Sequence, residues 1–124
     1  MRLLVEVNDG RGAAEGAAQL FVQAALDAGH DVVQVFFYHQ GVALGFPPAS
    51  EAAEAWQRLA QDHDLDLVVC VAAAERRGAP VDAAARSIAS EVTLDGFRVA
   101  GLPQWMDALA AADRVVRFGP GEQS

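Results

Sequence analysis

The chain contains 124 residues with a mass of 13.1 kDa, 52% hydrophobic residues, 21% charged residues and a formal net charge of −8. This size and aliphatic content are typical of one globular domain; they exclude a disordered polar chain, and no apolar run approaches the roughly 20 residues of a membrane span. All nine basic residues are arginine, which excludes chemistry that requires a lysine, and the acidic balance disfavours direct contact with the phosphate backbone of nucleic acids.

The amino-terminal segment predicts a strand over Leu3–Val7, a short polar loop and a long helix that begins near Gly12. In this helix, apolar residues recur at three- and four-residue steps, and Gly29 is expected to end it. Glu6 places a carboxylate where a secretory signal peptide needs an apolar stretch. We therefore expect a cytoplasmic protein.

The next segment, Val32–Tyr38, is rich in β-branched and aromatic residues and predicts a strand that is buried on both faces and central in the sheet. Residues 40–49 contain two glycines and two prolines, so we expect the longest internal loop there. Ser50 is a candidate N-cap for the helix that follows. That helix is predicted to place four side chains on one face: Trp56, Leu59, Ala60 and His63.

The third predicted strand, Asp66–Val71, is also buried, and it places Cys70 near its carboxyl end. A stretch of small residues and two arginines follows, and Pro80 is expected to begin a further helix. The remaining segments predict a weak strand over Phe97–Val99, a helix over 102–112 and a last strand over 113–118.

Strands therefore alternate with helices along the whole chain. This order predicts an α/β fold, a three-layer α/β/α sandwich with a mainly parallel sheet of about five strands. We expect one domain over residues 1–118 and a flexible tail over 119–124. Because ligands of such sheets bind outside the carboxyl ends of the strands, a site is expected at the loops after Val7, Tyr38 and Val71.

Three other types of site receive little support. Gly10, Gly12 and Gly16 lie in the first strand-to-helix turn, but their spacing misses the dinucleotide-binding pattern by one residue, which favours a tight turn. His63 lies between two aspartates at a predicted helix end, where adjacent residues cannot all face one metal ion. Ser50 lacks the glycine frame of a hydrolase nucleophile. A nucleotide-binding, flavodoxin-like module stays open as an alternative.

Cys70 is the only cysteine, so an intrachain disulfide is impossible, and it is the best nucleophile near the expected site. A lone cysteine within an apolar strand is often a small buried hydrophobe. At a strand end, however, Arg76 and Arg77 would supply a positive field that favours the thiolate, partly cancelled by Glu75. A buried structural cysteine and a reactive thiol both stay open on these residues alone.

Three segments of the chain resemble one known family. Residues 68–78, with the sequence VVCVAAAERRG, are similar to the cysteine segment of the TusD/DsrE proteins, the sulfur-relay subunits of the DsrE/F/H-like family. Residues 35–42 (VFFYHQGV) resemble the second-strand segment of that family, and residues 113–118 (DRVVRF) resemble its last strand. The similarity therefore spans almost the whole chain in the right order.

The resemblance implies a sulfurtransferase in which Cys70 accepts a sulfane sulfur as a persulfide from a small TusA-like donor and passes it to a cysteine of a TusE/DsrC-like acceptor. Family members work in a heterohexamer with homologous TusB/TusC-like or DsrH/DsrF-like subunits, without a metal or an organic cofactor. The relay would serve 2-thiolation of the wobble uridine of tRNA or, in the DsrE branch, cytoplasmic sulfur oxidation. A non-catalytic interaction subunit of such a hexamer is the alternative.

Four residues are expected near the thiol. Arg76 and Arg77 would stabilise the thiolate or the persulfide, or serve as surface charges, and Tyr38 and His39 would line the same cleft or pack within the fold. With one cysteine, the chain has no internal thiol that discharges a persulfide, so the sulfur must pass to another protein. The acidic balance also suits protein partners better than direct contact with tRNA.

Overall fold

The computed structural model describes residues 1–9, 13–76 and 93–119. The turn at Gly10 and Gly12, Arg77, the helix expected from Pro80 and the tail beyond Gly119 lie outside the described residues. Among the residues that are described, no helix is long and apolar enough to cross a membrane. In chain order, the elements are β1 (Arg2–Val7), α1 (Ala13–Asp27), β2 (Asp31–Phe37), a 3₁₀ helix (His39–Gly45), α2 (Glu51–His63), β3 (Leu67–Cys70), α3 (Val71–Arg76), β4 (Phe97–Ala100), α4 (Leu102–Ala111) and β5 (Arg114–Phe118).

The five strands form one sheet in the order β4-β3-β2-β1-β5, and every neighbouring pair is parallel. This arrangement confirms the predicted α/β fold with a parallel sheet. Strand β2 lies in the middle of the sheet, and its second half, from Gln34 to Phe37, is buried on both faces, as its β-branched and aromatic composition predicts. The carboxyl ends of the parallel strands consequently meet at one edge of the sheet.

Helices cover both faces of the sheet, which gives the three predicted layers. On one face, α1 and α2 pack over a core in which Phe37 and Trp56 are fully buried and meet edge to face, with ring centroids 5.4 Å apart. On the other face, Ala108 of α4 packs in a smaller cluster with Phe36 and Val68. Alternate strand residues point to opposite faces, so consecutive residues such as Phe36 and Phe37 belong to different cores.

The segment after β2 differs in part from its prediction. Its first half is the 3₁₀ helix rather than an irregular loop, and this helix packs so closely on the end of β1 that a side chain at Gly41 would overlap the Val7 carbonyl oxygen. His63 is the last residue of α2 and is exposed, as expected for a helix end, whereas Trp56, Leu59 and Ala60 are buried. Val71, expected in the third strand, begins α3 instead.

Helix α2 begins at the predicted N-cap. The Ser50 hydroxyl oxygen accepts a hydrogen bond of 3.0 Å from the backbone N–H of Ala53 and so satisfies one donor of the first turn. We expect Ser50→Ala to lower the free energy of unfolding by about 1 kcal/mol, measured by urea denaturation. Ser50→Asp, which keeps an acceptor at this position, should retain most of the stability. Equal losses in the two variants would contradict the capping role.

Candidate functional site

Cys70 occupies the boundary between a strand and a helix. It is the last residue of β3, its Cα is paired with that of Ala100 on β4, and α3 begins at the very next residue, Val71. The side chain is partly exposed, in contrast to the buried residues Val68 and Val69 of the same strand. Cys70 therefore lies at the carboxyl edge of the sheet, where the fold predicts a site, and it is partly exposed while it packs against both hydrophobic clusters.

A cleft of about 940 Å³ opens at this edge, and Cys70 is one of the residues that line it. Its walls come from the ends of β1, β2, β3 and β5, from the start of α3, and from the first turn of α4. In that turn, the backbone N–H of Gly101 donates a hydrogen bond of 3.0 Å to the Gln104 side chain, which fixes where α4 begins. The cleft is mostly apolar, with a few polar groups among its lining residues, as is typical of binding sites.

The cleft brings together four of the five residues that the sequence placed at the site. Tyr38 and His39, directly after β2, line the cleft together with Cys70 and Arg76. The Tyr38 ring lies 4.9 Å from the His39 ring and 6.0 Å from the Phe36 ring, measured between centroids, so the aromatic groups form a continuous wall. Arg76 is exposed at the end of α3, and Arg77 lies outside the described residues.

The cleft also contains a buried ionic network that the sequence analysis missed. The Glu6 side chain is only 4% exposed. One carboxylate oxygen accepts a hydrogen bond of 2.6 Å from Nε of Arg117, and the other accepts one of 2.7 Å from Nε1 of Trp105. All three residues line the cleft. A buried carboxylate is costly unless it is paired and hydrogen-bonded, and this network meets both requirements.

The network joins three elements that are distant in the sequence. Glu6 on β1 is in register with Arg117 on β5, and Trp105 reaches it from α4. A carboxylate in the strand Leu3–Val7 and an arginine in the last strand are visible in the sequence as charges within apolar strands. Pairing them requires knowledge that β1 and β5 are neighbours, which depends on the strand order.

A second ion pair, between Arg98 and Asp66, is exposed, in contrast to the buried Glu6 carboxylate of the cleft network. Arg98 of β4 donates hydrogen bonds of 2.7 and 2.9 Å to the two carboxylate oxygens of Asp66, and these hydrogen bonds raise the pKa of the Arg98 guanidinium above its ordinary value. Both side chains are more than a third exposed, so the pair contributes little to stability. Neither residue lines the cleft.

The Glu6 network makes a prediction about stability. Trp105→Phe preserves most of the ring packing against Phe36 but removes the N–H donor to Glu6. Since a hydrogen bond to a buried charge is worth about 2 kcal/mol, we expect a loss of that order in the free energy of unfolding. In a Glu6→Gln background the same substitution should cost clearly less. An equal cost in both backgrounds, measured as a double-mutant cycle by urea denaturation, would contradict the network.

The chemistry available in the cleft is that of a thiol nucleophile. Within the described ranges, no three His, Cys, Asp or Glu side chains come together as metal ligands. Cys70 is the strong nucleophile on the cleft wall, and Arg76 and Arg117 are the cations. A thiolate in such a setting attacks electrophilic sulfur, carbon or a metal ion supplied by a partner.

The sequence of the chain is similar to those of known proteins. Residues 1–118 match the DsrE/DsrF-like family. The chain is 39% identical, over 129 aligned residues, to the protein named DsrE in Allochromatium vinosum, covering 96% of this chain and 99% of that protein. It is 41% identical over 110 residues to a sulfurtransferase TusD homologue of Vibrio parahaemolyticus, covering 82% of this chain and 84% of the homologue.

The fold also resembles a solved structure. The YchN protein of E. coli superposes with a TM-score of 0.71 over 94% of this chain and 97% of YchN, although only 13% of the residues are identical. This similarity concerns the fold alone. It agrees with the parallel five-stranded sheet described above.

Proposed function

The chain belongs to the DsrE/DsrF-like family, and on this premise we propose that it is a sulfurtransferase that carries sulfur as a persulfide on Cys70. The observation that carries the proposal is the position of the chain's only cysteine, partly exposed on the wall of a cleft at the carboxyl edge of the sheet. Relatives with the sulfurtransferase name, from Vibrio parahaemolyticus and Erwinia tasmaniensis, support the same activity.

The proposed reaction has two steps of the same kind. The Cys70 thiolate attacks the outer sulfur of a donor persulfide; a new S–S bond forms on Cys70, the S–S bond of the donor breaks, and the donor leaves as a thiolate with the electron pair. In the second step, an acceptor thiolate attacks the outer sulfur on Cys70 and releases the Cys70 thiolate. Each step exchanges one S–S bond for another, so no oxidant or reductant is consumed.

The cysteine count implies that a second protein accepts the sulfur. Because the chain has one cysteine, the persulfide has no internal thiol to react with and leaves to another protein. We propose a small TusA-like protein as donor and a cysteine of a TusE/DsrC-like protein as acceptor, with 2-thiolation of the wobble uridine of tRNA as the purpose. The setting would be the cytoplasm, where unpaired thiols stay reduced.

Sulfur oxidation is the second candidate for the biological purpose. The similarity to DsrE of Allochromatium vinosum extends over 96% of the chain, whereas the TusD homologue of Vibrio parahaemolyticus matches 82% of it at a nearly equal identity. Both purposes use the same persulfide chemistry at Cys70. The identity of the acceptor that Cys70 charges would separate them.

The proposal includes partner subunits of the TusB/TusC-like or DsrH/DsrF-like kind in a heterohexamer. Helix α4 supports such contacts because three large apolar side chains along it are exposed: Leu102 by 64%, Met106 by 54% and Leu109 by 38%. Side chains at four- and three-residue steps lie along one side of a helix. A non-catalytic subunit would share these contacts but would not need a reactive thiol at Cys70.

Sulfur loading of the isolated chain tests the proposal. The protein is incubated with glutathione persulfide, and its intact mass is measured before and after addition of a reductant. We expect the gain of one sulfur atom, which the reductant removes. No gain, together with labelling of Cys70 by a thiol reagent only after denaturation, would contradict the proposal and favour a non-catalytic interaction subunit.

A further inference from the structure

Trp105 lines the cleft close to the strand position beside Cys70. Ala100 of β4 is the Cα partner of Cys70, and Gly101 follows it. The backbone N–H of Trp105 donates a hydrogen bond of 3.4 Å to the Gly101 carbonyl oxygen, so Trp105 lies one helical turn from the residue after Ala100. Cys70 and Trp105 also pack against the same small cluster of buried residues on this face of the sheet.

The register of the sheet places Cys70 and the aromatic wall on the same face. Phe36 of β2 is in register with Val68 of β3, and Cys70, two residues after Val68, points to the same face because side chains alternate along a strand. The Trp105 ring lies 6.2 Å from the Phe36 ring, measured between centroids. Both rings line the cleft. A group that reaches Cys70 through the cleft therefore enters beside these two rings.

The polar atom of the Trp105 ring already has a partner. The indole N–H donates a hydrogen bond of 2.7 Å to Glu6. An indole has this one donor and no acceptor, so Trp105 presents only apolar ring surface to the cleft. The other Glu6 oxygen accepts a hydrogen bond from Arg117, and the Glu6 side chain is only 4% exposed. Glu6 therefore fixes the ring in place and adds little polar surface beside it.

Resting on the proposed function, we infer that Trp105 is a specificity residue for the protein segment whose cysteine exchanges sulfur with Cys70, and that it selects a large apolar residue next to that cysteine. Exchange requires the sulfur of the segment to contact the sulfur on Cys70, so the side chains beside it lie along the cleft wall. Burial of apolar area on the Trp105 ring is favourable, whereas a polar side chain there loses water without gaining a partner. Phenylalanine fits best, because two rings also gain from their mutual packing.

The test uses uncharged dipeptides, acetylated and amidated, in which cysteine is preceded or followed by phenylalanine or glutamine. The peptide cysteine is activated as a thiopyridyl disulfide. The Cys70 thiolate attacks the peptide sulfur, a new S–S bond forms, and the thiopyridyl group leaves with the electron pair. Adduct formation on Cys70 is followed by intact mass over a range of peptide concentrations. Reaction of the same peptides with free glutathione gives their intrinsic reactivity, by which each rate is divided.

For one of the two residue orders, we expect the phenylalanine peptide to react with Cys70 about tenfold faster than its glutamine counterpart at low concentration, which corresponds to burial of roughly half of a phenylalanine side chain. The preference should appear in the peptide concentration that gives half the maximal rate and not in the maximal rate itself, because the wall contacts are the same before and during the S–S exchange. Since the peptides carry no charge, the preference should be insensitive to salt.

Three variants make the test specific. Trp105→Ala removes the ring, and we expect the preference to fall by about threefold or more. Trp105→Phe keeps a ring on the wall and should retain most of the preference. Met106→Gln, on the same helix but outside the cleft, is the matched control: it removes an exposed apolar side chain and should retain the full preference. Each rate is compared with that of methyl methanethiosulfonate, so that changes in the general reactivity of the thiol cancel, and circular dichroism checks folding.

Three results would overturn the inference: no phenylalanine preference in the parent chain, a preference that folded Trp105→Ala retains in full, or its equal loss in Met106→Gln. The adduct assay requires an accessible Cys70 but no sulfur transfer. A phenylalanine preference in a chain that fails to load sulfur therefore supports the specificity residue while it counts against the proposed function. Normal sulfur loading without a phenylalanine preference has the opposite meaning.

Discussion

Replacing Cys70 with alanine is expected to abolish sulfur transfer by this chain. No other cysteine is present in the sequence, so no second thiol is available to accept the sulfane sulfur. Cys70 is partly exposed at a strand end, and the substitution removes one small group, so the variant should fold normally. The loss of activity would then report on chemistry rather than on stability.

The measurement for this variant follows sulfur from glutathione persulfide to a single-cysteine acceptor peptide. Transfer that depends on the parent chain should fall to the uncatalysed rate with Cys70→Ala. Cys70→Ser is the matched control, because it keeps the size and polarity of the side chain but forms no persulfide, and it should be equally inactive. Accelerated transfer by either variant would show that the sulfur passes through some other group.

The largest structural effect is expected at Gly41. A Cβ atom there would overlap the Val7 carbonyl oxygen and lie 3.1 Å from the Val7 carbonyl carbon. That oxygen already accepts a hydrogen bond of 3.0 Å from the backbone N–H of Tyr38. Relieving the overlap must therefore move the 3₁₀ helix away from the end of β1, and we expect Gly41→Ala to lower the free energy of unfolding by about 3 kcal/mol.

The same displacement should affect the cleft, because Tyr38 and His39, three and two residues before Gly41, line the cleft. Loading of Cys70 by glutathione persulfide is expected to slow in Gly41→Ala even at temperatures where the variant is folded. Gly16→Ala is the matched control: nothing lies within 4 Å of an added Cβ in helix α1, and alanine there should stabilise the chain by about 0.5–1 kcal/mol. Equal stability of the two variants would contradict the close packing of the 3₁₀ helix.

The elements of the fold were largely predictable because each strand and helix has a strong local signal. Alternation of aliphatic strands with amphipathic helices predicts the parallel sheet, and Ser50 and Gly29 mark helix ends that the structure retains. Local patterns failed where packing between distant segments decides the conformation. The 3₁₀ helix depends on close contact between Gly41 and β1, and α3 begins at Val71, a residue type that favours strands.

The same distinction between local signals and contacts of distant segments applies to the site. Tyr38, His39, Cys70 and Arg76 were predictable because they lie at or after the carboxyl ends of two parallel strands, and such ends meet at one edge of a sheet. The Glu6 network was not, because its partners are separated by 99 and 111 residues in the sequence. Nothing local to Glu6 indicates that Arg117 and Trp105 would be its hydrogen-bond donors.

The most direct test of the central claim is the discharge of a preloaded Cys70 persulfide, followed by rapid quenching and intact-mass measurement. The chain is loaded with glutathione persulfide, freed of donor and mixed with a single-cysteine acceptor peptide. If Cys70 is a relay intermediate, sulfur leaves the chain and is found on the acceptor at the same rate and in equal amount. Sulfur that stays on Cys70 while the acceptor remains uncharged would contradict the relay.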